Sequence, residues 1–131
     1  MRNYLVRFSL DELNICRDEL GGWHLEGHDL SFPLVEASDF KRIISLLETP
    51  VEVAKAALGD GFPYVCVVEA GLNHDSDYWI GLALSWVADV TARDASQLIK
   101  QLKILSTDKA VSQKNRQLAR KEFKRLSNVD S

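Results

Sequence analysis

Apolar and polar residues alternate in two short segments near the start of the chain, and this period of two predicts β-strands. Residues 4–8 are rich in β-branched and aromatic side chains, and residues 30–34 alternate Leu, Phe and Leu with Ser and Pro. Pro33 has no N–H group to donate to a neighbouring strand, so the second strand is expected at the edge of a sheet.

Start and stop signals along the first half of the chain predict helices. Ser9 and Glu12 have the spacing of a capping box, which predicts a helix that ends at the glycine pair 21–22. A second helix is expected behind a Ser38 cap, with four apolar residues spaced by three and four: Phe40, Ile43, Ile44 and Leu47. A short helix with proline at its first position is expected over residues 50–58.

The next segment, residues 64–70, is ambiguous between strand and helix. Its Val-Cys-Val-Val run favours a strand, whereas the proline before it and the Glu-Ala-Gly-Leu sequence at its end favour a helix. We expect a helix here.

The most aromatic part of the chain also predicts a helix, entered through a cap at Asp75 or Ser76. Helical spacing places Trp79 and Trp86 on one stripe. The stripe also contains Leu82, Ala83, Val87 and Val90. A tryptophan pair on such a stripe is more often core than a surface that stacks on bases or sugars, so both rings are expected to be buried. Tyr78 falls off the stripe and is expected to be partly exposed.

Two further apolar stripes predict the last helices. The first contains Ala95, Leu98, Ile99, Leu102 and Leu105, and the narrower second one contains Leu118, Ala119, Phe123 and Leu126. The predicted fold is mainly α, a small helical array or bundle with a short two-strand β element near the N-terminus, so that the α+β character is minor. We expect one domain over residues 1–131, with a strand-helix-strand element at 1–37, the helical array at 38–127 and a flexible tail at 128–131.

Composition narrows the class of protein. A chain of 131 residues is long enough to bury one core without disulfides or metals. No apolar run has the length of a membrane span and the start does not have the pattern of a signal peptide, so a cytoplasmic protein is expected. Cys16 and Cys66 are expected to be free buried thiols. The net charge of −3 is uneven, because residues 1–60 carry 6 basic and 11 acidic residues.

The first candidate chemistry is a metal site at His24, Glu26, His28 and Asp29. Two histidines four residues apart need a helix to face one ion, and this glycine-containing segment predicts an ordinary loop instead. A later helix start carries His74, Asp75 and Asp77, which capping and the helix dipole explain without acid–base catalysis. The cysteines and glycines match no nucleophile or phosphate-loop pattern. The sequence predicts neither an enzyme nor a cofactor.

Positive charge is concentrated in and just before the last predicted helix. Residues 109–125 contain seven basic residues and a single acidic one, Glu122. Six of them form a candidate nucleic-acid-binding set: Lys114, Arg116, Arg120, Lys121, Lys124 and Arg125. A solvated terminal helix explains the same charges, and the rest of the domain is acidic. A small nucleic-acid-associated or regulatory protein is therefore the alternative function.

Several segments form a pattern of packing residues that spans most of the chain. They are FSLDEL at 8–13, Phe32, the leucine pair 46–47, SDYW at 76–79, LAL at 82–84, Trp86, SQ at 112–113, Arg116 and ARK at 119–121. The pattern resembles small bacterial helical proteins, and among these the immunity proteins of contact-dependent growth-inhibition and related polymorphic-toxin systems. Gln117 departs from it, because a histidine is expected after Arg116.

The resemblance implies a non-catalytic binding protein that neutralises a cognate toxin domain, commonly a nuclease. Nuclease toxins are often basic because their substrate is polyanionic, and an acidic N-terminal half suits such a partner. The residues expected to contact it are Asp18, Glu19, Glu26, Asp29, Asp75, Asp77 and Tyr78. A membrane partner is not expected, and neither the toxin's activity nor the oligomeric state follows from the sequence.

Overall fold

The structure is a computed structural model that describes residues 4–10, 12–90 and 92–129. Over these residues the chain begins as a four-stranded antiparallel meander in which consecutive strands are neighbours. The strands are β1 (Tyr4–Leu10), β2 (Leu13–Asp18), β3 (Trp23–Gly27) and β4 (Leu30–Pro33). A long 3-10 helix, Ala37–Glu48, leads from the sheet to the helical part. That part contains α1 (Val51–Leu58), α2 (Tyr64–Leu72), α3 (Asp77–Val87), α4 (Ala92–Ala95), α5 (Ile99–Leu105) and α6 (Gln113–Val129).

The predicted fold class is wrong, because the N-terminal part is a four-stranded sheet rather than a two-strand element, and the fold is α+β. The helix predicted behind Ser9 does not form, since Ser9 lies in β1 and β2 follows. Ile15 of β2 pairs with Phe8 on one side and Leu25 on the other, and it is fully buried. A capping box is a local signal, and burial of one face of the sheet outweighs it. Asp11, inside the predicted helix, lies outside the described residues.

The segment around His24, predicted as a loop, forms β3. Trp23 and Leu25 are buried, whereas His24 and Glu26 are partly exposed, as expected for a strand with one buried face. The turn before β3 contains Gly21 with a φ of 87°, a conformation that glycine adopts without steric cost. The glycine pair therefore serves a hairpin turn and not a helix end.

The helices expected after residue 38 are present, although the first is a 3-10 helix. It starts at Ala37, two residues earlier than a Ser38 cap implies, because Glu36 is the cap and its N–H group donates to Asp39 Oδ2 at 2.9 Å. α2 includes residues 64–70, so the choice of helix over strand is confirmed. This helix packs between the 3-10 helix and α3, which buries more than one face of it and explains its nearly continuous apolar sequence.

The two tryptophans of α3 differ in burial. Trp86 is 2% exposed, and aromatic contacts connect it through Tyr64 and Phe62 to Trp23 of the sheet. Trp79 is only partly buried, so the prediction that both rings lie in the core is wrong for Trp79. Two residues outside the predicted stripe are buried as well: Ile80 and Leu84. α3 contacts the 3-10 helix, α2 and α6, so its buried arc is wider than one stripe.

One continuous apolar core joins the inner face of the sheet to the helices. Both cysteines are free as expected, with Cys16 buried and Cys66 only partly so. α6 extends through Val129, into the tail predicted at 128–131, and residues 130 and 131 lie outside the described part of the chain. No helix in the described ranges combines the length and the apolar character that crossing a membrane requires.

Candidate functional site

The residues expected to contact a partner fall in three separate places. Asp18 and Glu19 lie where β2 turns into β3, whereas Glu26 and Asp29 flank the turn from β3 to β4. Consecutive turns of an antiparallel meander lie at opposite ends of the sheet, so these two pairs do not form one patch. The remaining three lie at or just before the start of α3: Asp75, Asp77 and Tyr78.

Asp18 organises the turn between β2 and β3. Its Oδ1 accepts hydrogen bonds of 2.9 Å from the N–H groups of Leu20 and Gly22, and its Oδ2 lies 2.6 Å from His24 Nε2. The bond with His24, followed by those with the backbone, holds the pKa of Asp18 below its usual value of 3.8. The Asp18 carboxylate is therefore ionised and already occupied, and Glu19 is the exposed carboxylate of this turn.

The turn between β3 and β4 does not hold the metal site considered from the sequence. Glu26 accepts a 2.9 Å hydrogen bond from Ser31 Oγ, and the fully exposed His28 lies 3.5 Å from Asp29 Oδ2. His24 binds Asp18 instead, towards the other end of the sheet. Among the described residues no group of three or more potential ligands could hold a metal ion.

Cys16 and His24 are cross-strand neighbours, which together with Asp18 gives the residue types of a cysteine-histidine-aspartate triad. The Cys16 side chain is 0% exposed, and burial raises the pKa of its thiol above 9.0 although Arg7 acts in the opposite direction. The thiol is therefore protonated at neutral pH and closed to a substrate.

Tyr78 is the most exposed of the described aromatic residues in the helical part, with 56% of its surface accessible. Its hydroxyl donates to Glu48 Oε2 at 2.6 Å, and its ring packs edge-on against Trp79 with centroids 5.1 Å apart. The hydrogen bond with Glu48 raises the pKa of the phenol. Both ends of the side chain are held, so little rotational freedom is left to lose on binding.

Asp77 ties the start of α3 to the start of α6. Its Oδ1 accepts from the Ser112 N–H group at 3.0 Å and from Asn115 Nδ2 at 2.9 Å, and Nδ2 also lies 3.0 Å from the Asp77 carbonyl oxygen. The Ser112 bond is the main cause that lowers the pKa of Asp77, with a further contribution from Asn115. Asp77 therefore positions Tyr78, while Asp75 is the exposed acidic neighbour.

Three shallow depressions surround the start of α3. His74 and Asp75 line two of them, with volumes of about 270 and 200 Å³. The third, of about 360 Å³, lies between α3 and α6, and Tyr78, Leu82 and Leu118 contribute to its walls. An exposed aromatic ring beside a concave, partly apolar surface is the kind of feature on which protein partners dock.

Carboxylates outnumber cations around these depressions. Four carboxylates line them or bind Tyr78: Glu48, Asp75, Asp77 and Asp108. Two lysines line them: Lys41 and Lys114. Tyr78, these four carboxylates and the three depressions are called the Tyr78 surface below.

The six cations of the last helix divide by role. Arg125 Nε donates to Glu122 Oε2 at 2.8 Å and its NH2 group lies 3.5 Å from the Val87 carbonyl oxygen, while Arg120 lies 3.4 Å from the Ser106 carbonyl oxygen. These two arginines contribute to packing of α6 on its neighbours. The others face outward or lie at the side of the helix: Lys114, Arg116, Lys121 and Lys124.

Sequence reasoning missed Glu48, Asn115 and Leu20. Glu48 lies 30 residues from its partner Tyr78, and no local pattern joins them. Asn115 does have a sequence signal, because it precedes Ala119 by one helical turn and so falls on the apolar side of α6. In the structure it is 4% exposed. Leu20 is an apolar residue directly before the glycine pair, and it is 97% exposed.

Comparisons with protein-family models, with curated proteins and with solved structures find no match to this chain. The surface geometry and the sequence pattern therefore carry the functional inference.

Proposed function

We propose that this chain is a non-catalytic binding protein, that its partner docks on the Tyr78 surface, and that the partner is a cognate toxin domain which it neutralises in the cytoplasm. The exposed and rigidly held ring of Tyr78 is the observation that carries the docking site. The class of partner comes from the resemblance of the sequence to immunity proteins.

Tyrosine supplies a large contact area at a low cost in side-chain entropy, and it is enriched among the residues that dominate binding energies. The Tyr78 ring is held by Trp79 and Glu48, and the helix that carries it is tied to α6 through Asp77. A ring fixed in this way is preorganised for contact, which favours slow dissociation.

The acidic character of the Tyr78 surface favours a basic partner. Carboxylates such as Glu48 and Asp75 attract a positively charged protein over distances near the Debye length and orient it during approach. A toxin that acts on nucleic acid is commonly basic, so it complements this surface. Covering or blocking such a toxin requires a rigid surface and no chemistry.

The test is co-expression of the toxin-like domain encoded beside this chain, with growth and co-purification as readouts. The wild type is expected to restore growth and to form a one-to-one complex. Tyr78→Ala should weaken the complex by about 2 kcal/mol, or roughly 30-fold in Kd, through faster dissociation. Tyr78→Phe keeps the ring and should retain most of the affinity.

Gln117→Ala is a matched control, because Gln117 is exposed on the outer side of α6 away from the buried residues of that helix. It should bind the toxin domain as the wild type does. Failure of the wild type to rescue growth or to co-purify would contradict the proposed function, and an unchanged dissociation rate of Tyr78→Ala would remove the Tyr78 surface from it.

The alternative, nucleic-acid association through α6, is favoured by one observation. Lys114, Lys121 and Lys124 are exposed, and within the described part of the chain no carboxylate forms an ion pair with them. RNA binding that weakens steeply with salt, and that Lys121→Glu reduces, would support this function. Binding of the toxin domain that is insensitive to Lys121→Glu would favour the immunity function instead.

A further inference from the structure

Leu20 is an apolar side chain that the turn between β2 and β3 holds in solvent. It is 97% exposed, the highest value among the large apolar side chains that the structure describes as exposed. Large apolar side chains on the surface are common singly, so exposure alone implies nothing. The rigidity of the turn and the surroundings of Leu20 distinguish it.

The turn is fixed by several hydrogen bonds within five residues. The Asp18 carboxylate accepts from the N–H groups of Leu20 and Gly22, and the Asp18 N–H group donates to the Gly22 carbonyl oxygen at 2.9 Å. The Gly21 N–H group donates to the Asp18 carbonyl oxygen at 3.0 Å. His24 binds the second carboxylate oxygen of Asp18. The backbone of Leu20 is therefore ordered before any partner arrives, which lowers the entropy cost of binding.

A second exposed apolar residue lies at the same end of the sheet. Val35 is 76% exposed and follows Leu34, whose N–H group donates to the Trp23 carbonyl oxygen at 2.9 Å. Since Trp23 is the first residue of β3, directly after the turn, Val35 lies beside the end of the sheet that carries Leu20. Leu20 and Val35 together are called the Leu20 anchor.

Carboxylates predominate around the Leu20 anchor. Four lie in the turn or next to Val35: Asp18, Glu19, Glu36 and Asp39. Hydrogen bonds hold the pKa of Asp18 and of Asp39 below the usual value, so both are ionised at neutral pH. Two guanidinium groups also lie close to the anchor. Arg17 Nη2 is 3.6 Å from the position that a Cβ on Gly21 would occupy, and the charge of Arg42 contributes to the lowered pKa of Asp39. The four carboxylates outnumber these two cations. His24 is the other titratable group of the turn.

We propose that the Leu20 anchor is a second docking point for the same protein partner, and that the partner receives it in an apolar pocket rimmed by lysine or arginine. The inference rests on the proposed function. It adds the chemistry of the partner's surface: an apolar cavity inside a ring of positive charge.

One helix leads from the Leu20 anchor to the Tyr78 surface. The 3-10 helix starts next to Val35 and ends at Glu48, which binds Tyr78. Its 12 residues span at most about 24 Å at roughly 2 Å per residue. A typical interface covers about 800 Å² on each partner, a patch roughly 30 Å across. The length of this helix therefore lies within the width of one interface.

The test measures association and dissociation rates of the complex between the full chain and the toxin domain. Leu20→Ser should weaken binding roughly tenfold or more through faster dissociation, and Val35→Ser should have a smaller effect in the same direction. Leu30→Ser is the matched control, because Leu30 is 49% exposed at the opposite end of the sheet, and it should bind as the wild type does. Glu19→Lys should mainly slow association, and this effect should shrink as salt is added.

The outcomes separate this inference from the proposed function. Weakening by Tyr78→Ala together with unchanged binding by Leu20→Ser would overturn the Leu20 anchor and leave the proposed function in place. Absence of any complex with the wild type would overturn both. All variants should unfold at the temperature of the wild type within a few degrees, because the exposed Leu20 side chain packs on little. A large loss of thermal stability in Leu20→Ser would show that Leu20 is a packing residue, which also contradicts the proposal.

Discussion

Asn115 joins the starts of α3 and α6 by donating from Nδ2 to two oxygens of Asp77, the side-chain Oδ1 at 2.9 Å and the backbone carbonyl oxygen at 3.0 Å. The two residues are 38 positions apart. Asn115 is 4% exposed whereas Asp77 is exposed, so these bonds lie at the boundary between the core and the surface. This pair fixes the helix start that carries Tyr78, and it connects the stability of the fold to the shape of the Tyr78 surface.

Replacing Asn115 with alanine should lower the free energy of unfolding by about 1–3 kcal/mol, because it leaves the Asp77 oxygens without this donor. Gln117→Ala is the control on the same helix, where an exposed side chain is removed, and it should change stability by less than about 0.5 kcal/mol. Urea unfolding at neutral pH measures both. Equal stabilities for the two variants would mean that the Asn115 bonds contribute nothing net.

Asp77 should make stability depend on pH in a defined window. Its folded-state pKa is lowered from 3.8, first by the Ser112 N–H bond, so its ionised form stabilises the fold at pH values above about 4. That stabilisation is lost as pH falls through the folded-state pKa. Asp77→Asn should therefore be less stable than the wild type at pH 7, with a difference that shrinks as pH falls below about 4. Urea unfolding across this range would refute the assignment if the difference stayed constant.

Gly71 should not tolerate a methyl group. A Cβ at this position would lie 2.6 Å from Leu47 Cδ1 and 2.7 Å from Ala83 Cβ, so α2 would have to move away from its neighbours. Gly71→Ala is expected to cost about 1–3 kcal/mol despite the better helix propensity of alanine. In Gly81→Ala the nearest atom is Asn115 Oδ1 at 3.2 Å, which is tight but not a clash, so this comparison variant should cost less than Gly71→Ala. Thermal unfolding of the two variants, compared side by side, gives the answer.

The two tryptophans should differ in their contribution to stability. Trp86 is 2% exposed and its ring contacts Tyr64 in the core. Trp86→Ala should therefore lower the free energy of unfolding by about 3–5 kcal/mol. Trp79 is partly exposed next to Tyr78 and His74, so Trp79→Ala should cost clearly less. A melting temperature for Trp86→Ala within a few degrees of the wild type would place that ring outside the core. Equal losses for both variants would contradict the difference in burial.

Part of the fold could be predicted because its signals are local. The apolar spacing after residue 38 and the glycine at position 59 mark helices that the structure contains. The sequence predicts only two of the four strands. Ser9 and Glu12 have the spacing of a helix start, and the alternation from Trp23 to Glu26 is short and preceded by two glycines. Strand formation there depends on pairing with distant segments, which a local pattern does not record.

The candidate site was predicted in part for the same reason. Tyr78 is off the apolar stripe, and its exposure at 56% confirms that prediction. Glu48 could not be found from the sequence, since its contact with Tyr78 arises only when the end of the 3-10 helix meets the start of α3. The sequence does not show how the acidic residues are distributed in space, because strand direction places Asp18 and Glu19 at the end of the sheet opposite to Glu26 and Asp29.

The sequence by itself determined which residues are apolar, where most helices lie, that both thiols are free, and that acidic residues predominate in the first half. Only the tertiary structure decided that the N-terminal part is a four-stranded sheet, that Trp79 is only partly buried whereas Trp86 is buried, and that Asp77 binds Asn115. The physical reason is the range of the interactions. Helix periodicity and capping act over a few residues, whereas strand pairing, burial of a ring and a hydrogen bond between helices depend on segments that meet only when the chain folds.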